Sequence, residues 1–421
     1  MREKVQKDFS VYSIIKTTKT QNIHNIEDSK KYHKTKKINK GMSYLGNYNI
    51  IFGKMQIILF FTIMINLFNL IILIECNQRK VQSNDSTIFL KIRGSGNIQI
   101  LSNDFEILPY KILINGNEQG TIQKVYDFSN SENDINSITL KWNVEINSTV
   151  NMFYKCDKIL EIDCTSFDTS KVMNMSRMFR SCNELASLDI SNFDTSKVLE
   201  MKYMFFSCYK LTSLDLTSFD TSKVTNFEHI FNGCRILTSL DVSHFDTSNA
   251  IYMNQMFNGC YLLTSLDVSN FKTSKVKNMN SVFFNCASLT SLNLSNFDTS
   301  NVLNMANMFY GCAKLTSLNL SNFDTSKITL MYNIFYNCSS LTSLDLSSFD
   351  TSSAKSMYNM FYNCSLLSSL DLTNFDMSGV TKMNDMFLGC TSLEFLSLQS
   401  DSLIDDMNTQ ILNVYFMVVK Y

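Results

Sequence analysis

Ten cysteines recur at a fixed interval of 26 residues: Cys156, Cys182, Cys208, Cys234, Cys260, Cys286, Cys312, Cys338, Cys364 and Cys390. Three chemistries could use such a series. The first is cross-linking, since stacked repeats bring equivalent residues to about 4.8 Å, the spacing of neighbouring strands, inside the range a disulfide tolerates. Equivalent side chains in successive coils point in parallel, however, and pairing them two by two would split a uniform repeat into alternating coils. The second is metal binding. Zinc is held by tetrahedral clusters, usually with closely spaced ligands, whereas these cysteines lie 26 apart and the four histidines, His24, His33, His229 and His244, share no repeat position. The third is nucleophilic catalysis, which needs one thiol set apart with a base. Only His229, beside Glu228 and near Cys234, approaches that, and a deviation confined to one coil reads as surface drift. No metal, cofactor or enzymatic activity follows, and the series reads as a ladder of buried free thiols acting as small hydrophobes.

Two acidic rows keep the same period. Asp163, Asp189, Asp215, Asp241, Asp267, Asp345 and Asp371, completed by Asn293 and Asn319, fall between two apolar strand positions and are expected to face outward. Like charges about 5 Å apart repel one another, so the row favours a basic partner, against the plainer reading of a solvated strand surface. The second row, Asp168, Asp194, Asp220, Asp246, Asp298, Asp324, Asp350 and Asp376, reads as turn and helix-start bonding.

The elements that must carry these rows follow from one coil. Residues 315–340 read LTSLNLSNFDTSKITLMYNIFYNCSS. Leu315, Leu318 and Leu320 give L-x-x-L-x-L, a short strand with one buried face. After Phe323, the Asp-Thr-Ser turn is followed by Ile328, Met331, Ile334, Phe335 and Cys338, whose spacing predicts about three turns of amphipathic helix. A strand, a turn and a helix per repeat make a solenoid in which no coil buries its apolar face alone. Met178-Phe179-Arg180-Ser181-Cys182, Met256-Phe257-Asn258-Gly259-Cys260, Met308-Phe309-Tyr310-Gly311-Cys312 and Met360-Phe361-Tyr362-Asn363-Cys364 repeat a Met-Phe-x-x-Cys motif.

With that motif the chain resembles the BspA-like leucine-rich-repeat surface proteins over roughly residues 87 to 398. The resemblance implies an α/β fold, a right-handed leucine-rich-repeat solenoid with a short strand and a short helix in each 26-residue coil behind an N-terminal β-rich cap. Phe stands where the common consensus closes the strand with Asn, so polar bonding in that loop must come from neighbours such as Asn192, Asn270, Asn296, Asn322 and Asn374. The resemblance further implies a non-enzymatic cell-surface or secreted module for adhesion, binding a protein partner on a concave strand face. A passive surface coat is the alternative.

Outside the repeats the composition changes. Residues 1–54 hold 12 Lys or Arg against 4 Asp or Glu and read as a basic disordered tail. Residues 55–76 are hydrophobic, and 55–74 carry no charge, enough for a membrane span. Basic residues precede the run, so it reads as a type II signal-anchor with a cytosolic N-terminus, or as a signal peptide if translation begins at Met55. Both place the repeats outside the cytosol. Residues 87–142, with an Asn115-Gly116 hairpin turn, form the β-rich cap, 143–398 the solenoid, and 399–421 a C-terminal tail or cap. A net charge of −1 over 421 residues gives no reason to expect nucleic-acid binding.

Overall fold

A computed structural model describes residues 85–129, 134–398 and 417–420. The basic tail and the hydrophobic segment 55–76 lie outside the described residues. At the N-terminal side, strands β1 (Ser86–Arg93), β3 (Lys111–Ile114), β4 (Asn117–Glu118), β6 (Ile135–Trp142), β7 (Ile159–Ser166) and β8 (Ser187–Asp189) form one sheet in the order β4-β3-β6-β1-β7-β8. Strands β2 (Gly96–Gln99) and β5 (Val125–Phe128) pair separately. Asn115 and Gly116 both take positive φ, 50° and 82°, as the tight hairpin between β3 and β4 requires. Pairing is antiparallel from β4 to β7 and becomes parallel at β7–β8. The sheet thereby passes from the cap into the coils. Fully buried Trp142 closes this end, donating Nε1–H to the Ile107 carbonyl at 2.9 Å and meeting Phe167 edge-on at 5.5 Å. At the other end β9 (Ser369–Leu372), β10 (Phe395–Leu398) and β11 (Met417–Lys420) stack in parallel.

Between these ends the expected helix is absent: among the described residues there is no α-helix, and the α/β leucine-rich-repeat assignment does not hold. The segment from Met331 to Cys338 is a run of tight turns whose amides alternate. Met331, Asn333, Phe335 and Asn337 donate N–H groups to carbonyls of the next coil at 2.7–3.0 Å, while Tyr336 and Cys338 donate three residues back at 3.2 and 3.1 Å. A helix would return every amide four residues back within its own segment; here half of them join coils instead. Two residues per coil sit at positive φ, four apart, as in Asn333 and Asn337 or Gln255 and Gly259, and two such residues within one turn of chain break an α-helix. One residue of each coil, from Ser148 through Asn174 and Glu200 to Lys382, adds a parallel bridge. The inward residues are nevertheless those expected, with Met331, Ile334, Phe335 and Cys338 all buried.

Coil spacing differs from side to side. Nearly parallel equivalent rings measure it locally: 5.6–5.9 Å along the buried stack from Phe153 through Phe179 to Phe387. It narrows to 4.3–4.5 Å along Phe284, Tyr310, Tyr336 and Tyr362 on the turn face. It widens to 6.3–6.4 Å at the strand-end pairs Phe193–Phe219, Phe271–Phe297 and Phe349–Phe375. The coils fan open toward the leucine side. The middle leucine is 6–9 % exposed from Leu188 to Leu344 and 3 % exposed at Leu370.

Candidate functional site

The acidic strand row is built by a local device repeated nine times. At Asp163, Asp189, Asp215, Asp241, Asp267, Asn293, Asn319, Asp345 and Asp371, Oδ1 accepts the backbone N–H of the residue two positions on, at 2.8–3.1 Å. In most coils the Ser or Thr hydroxyl there donates to the same oxygen, as in Thr217 to Asp215 at 2.7 Å and Ser269 to Asp267 at 2.6 Å. These are Asx turns that end the extended segment. They hold each carboxylate in one conformation with Oδ2 free of the turn, and all nine side chains are exposed except half-buried Asp163. Hydrogen bonds from Thr217 hold the Asp215 carboxyl below the usual range, and those from Ser243 and Ser269 do the same for Asp241 and Asp267. Asp215, Asp241 and Asp267, with Ser213, Ser239, Ser265, Leu214 and Leu240, line a shallow open depression of about 470 Å³. No cation pairs with these three carboxylates among the described residues.

The second acidic row uses the same device without any helix to start. Asp194 Oδ1 accepts the Ser196 amide at 3.0 Å and Asp324 the Ser326 amide at 3.0 Å. Its neighbour, the repeated Thr, has a role the sequence did not disclose. Thr169, Thr195, Thr247, Thr273 and Thr325 each donate Oγ1–H to the carbonyl of the residue 25 positions on and accept that same residue's amide, at 2.8–3.1 Å. Thr247 clips Lys272 as the others clip Asp, so the bond is to backbone and indifferent to the side chain. The Asn row behaves similarly: Asn192, Asn270 and Asn296 donate to carbonyls of the preceding coil at 2.5–2.8 Å. His244, in that row, reaches the Leu216 carbonyl at 2.9 Å and belongs to the scaffold.

The eleven described cysteines are free and buried. In the ladder from Cys182 to Cys390 each Sγ–H points at the carbonyl of the preceding coil's core Phe, 3.0–3.4 Å away. Burial pushes the thiols up, to about 12 at Cys208, Cys260 and Cys312. They are far from the thiolate that nucleophilic or redox chemistry needs. Among the described residues no group of His, Cys, Asp and Glu is placed to hold a metal, and no helix is long and apolar enough to cross a membrane. Residues 55–74, on which the membrane expectation rests, are not among them.

One family model matches this repeat: the family described as Mycoplasma protein of unknown function, DUF285, matches at residues 122–235, 147–261, 209–292, 237–319 and 284–398, overlapping across more than half of the chain. The chain belongs to this family. The overlapping matches show that the DUF285 region is a tandem repeat, and its segments take in both the end of the β cap and the last coil. Membership is thus in DUF285; the resemblance to BspA-like leucine-rich repeats rests on the Met-Phe-x-x-Cys motif alone. No curated protein and no solved structure matches the chain significantly.

Proposed function

We propose that this DUF285 protein is a non-enzymatic, extracytoplasmic binding module whose strand face takes a basic protein surface. The observation that carries the reading is the row itself: nine acidic or amide side chains, each fixed by its own turn, with the three adjacent carboxylates of Asp215, Asp241 and Asp267 around the depression. Fixed, unpaired like charges cost nothing extra to order on binding, and repetition along the array multiplies weak contacts. The wide coil spacing keeps this face open to an extended partner. Its placement outside the cytosol is supported by the uncharged run 55–74 behind basic residues.

The array tolerates a clean test, because Asn293 and Asn319 already occupy the row with the same turn bond. The triple change Asp215→Asn, Asp241→Asn and Asp267→Asn should leave the unfolding midpoint near that of the parent. It should weaken binding to Lys- and Arg-rich matrix or cell-surface proteins in a purified panel, with a reduced salt dependence. If every interaction survives the triple change, the face is scaffold and the surface-coat reading replaces this one.

A further inference from the structure

The turn face of the second and third coils departs from the repeat in a way that packing does not require. Arg180 stands in a surface column between Tyr154 of the coil before and Phe206 of the coil after, its guanidinium 5.1 Å from each ring, and also 5.0 Å from Tyr203. Arg177 approaches the same Tyr203 ring at 5.5 Å. His229 stacks on Tyr203 at 4.4 Å. Lys155, over Tyr154 at 5.0 Å, and Lys202 lie on the same turns. Neither arginine forms an ion pair among the described residues, and the Nε of each is buried without a hydrogen-bond partner. Equivalent positions elsewhere carry Asn, Gln, Ser, His, Asp, Phe, Tyr or Leu, so the repeat does not demand arginine.

Two guanidinium groups beside one ring repel each other, and covering their faces with aromatic carbon leaves hydration and hydrogen bonding to their edges. An anion between them would relieve both conditions. A lone carboxylate is satisfied by one arginine fork, whereas a tetrahedral oxyanion has oxygens enough for two. The face continues two coils on with carboxamides: Asn232 and Asn258 both donate to Gln255 Oε1, at 3.2 and 3.1 Å, and Asn232 Nδ2 also bonds His229 Nδ1 at 2.9 Å, which leaves the two carbonyl oxygens and the second N–H of Asn258 for hydroxyls. We propose that Arg177 and Arg180 form an oxyanion site for the sulfate ester of an acidic polysaccharide, with the carboxamide strip receiving the adjoining sugar hydroxyls. This site lies apart from the acidic strand row and is independent of the protein-binding reading.

Calorimetric titration of the full chain in detergent with a heparin-derived hexasaccharide tests it, beside the desulfated hexasaccharide, inorganic sulfate and a phosphorylated peptide. The sulfated sugar should bind with an affinity that falls as salt rises. The double variant Arg177→Gln, Arg180→Gln should weaken it about tenfold or more, and Lys223→Gln with Lys327→Gln, two cations elsewhere in the array, should leave it within about twofold. Unfolding midpoints check that the variants fold. If the double variant does not, Arg180→Lys, which keeps charge but loses the fork, should still weaken binding. The proposal is overturned if the desulfated sugar binds equally, if either arginine variant binds like the parent, if the phosphopeptide binds more tightly than the sugar, or if inorganic sulfate binds as tightly as the sulfated sugar.

Discussion

At the residue scale, coils are joined by side chains that bond to backbone, and the most specific of these is the threonine of Asp-Thr-Ser. Thr273 is 1 % exposed, donates to the Asp298 carbonyl and accepts the Asp298 amide, both at 2.8 Å. Thr273→Val keeps the shape and leaves two buried backbone groups unpaired, so it should destabilise by about 2–4 kcal/mol, while Thr273→Ser, which keeps the oxygen, should lose about 1 kcal/mol. Denaturant unfolding of the two variants measures this, and equal losses would mean that the methyl rather than the hydroxyl matters. The thiol ladder gives a pH dependence. A thiol whose folded pKa is raised keeps its proton when native and loses it near pH 8.5 when unfolded, so its contribution is complete below that value and lost as pH rises toward about 12, the folded value at Cys208, Cys260, Cys312 and Cys390. Each buried thiol then costs about 1.4 kcal/mol per pH unit. With ten in the ladder, the array should unfold within one to two units above about pH 9, and changing Cys260 and Cys312 to Ala should make that alkaline slope shallower.

At the element scale the turn ladder depends on residues that accept positive φ. The position before each ladder cysteine, φ 55–84°, is Lys155, then Ser181, Ser207, Gly233, Gly259, Asn285, Gly311, Asn337, Asn363 and Gly389. Seven of the ten are Gly or Asn, the types that enter the left-handed region at least cost. Gly311→Ala should cost about 1–2 kcal/mol for its φ of 71° alone, and its Cβ would also press on the Asn285 side chain. Asn337→Gly should be close to neutral for the backbone and lose only the bond from Asn363 Nδ2 to Asn337 Oδ1, 2.6 Å. Thermal unfolding should rank the two in that order; a reversal would place the strain elsewhere. The same position explains what could be read before the structure. The period, the inward leucines and the buried Met-Phe-x-x-Cys face were legible because burial alone dictates them. The helix was misread because inward residues such as Met331, Ile334, Phe335 and Cys338 suit a stack of three-residue turns as well as a 3.6-residue period. The discriminating signal was the Gly, Asn or Ser recurring in mid-segment, where a helix would be weakened. The outward carboxylate row was legible; its Asx turns, the threonine clip and the arginine pair depend on inter-coil distances that no single coil encodes.

At the scale of the whole molecule, a coil meets only the coils before and after it, and every inter-coil device repeats at the same register. The Phe stack at 5.6–5.9 Å, the threonine clips and the alternating amides each join position n to its equivalent about 26 residues on. Stability in such an array is a sum of coil and interface contributions, so the array should lose one complete coil without losing its fold. Deleting residues 263–288 removes one period and sets Leu289 where Leu263 stood, so that Phe257 stacks on Phe309 and Thr247 clips Asp298. Deleting only 263–275 sets Val276 in that place and turns the leucine strand of one coil against the turn ladder of the next. The first deletion should keep the parent's circular dichroism and a cooperative unfolding transition at a somewhat lower denaturant midpoint. The second should abolish that cooperativity, since coils on either side of the cut no longer offer matching surfaces. Equal tolerance of the two deletions would show that the coils are held by general apolar burial and not by the bonded register described above.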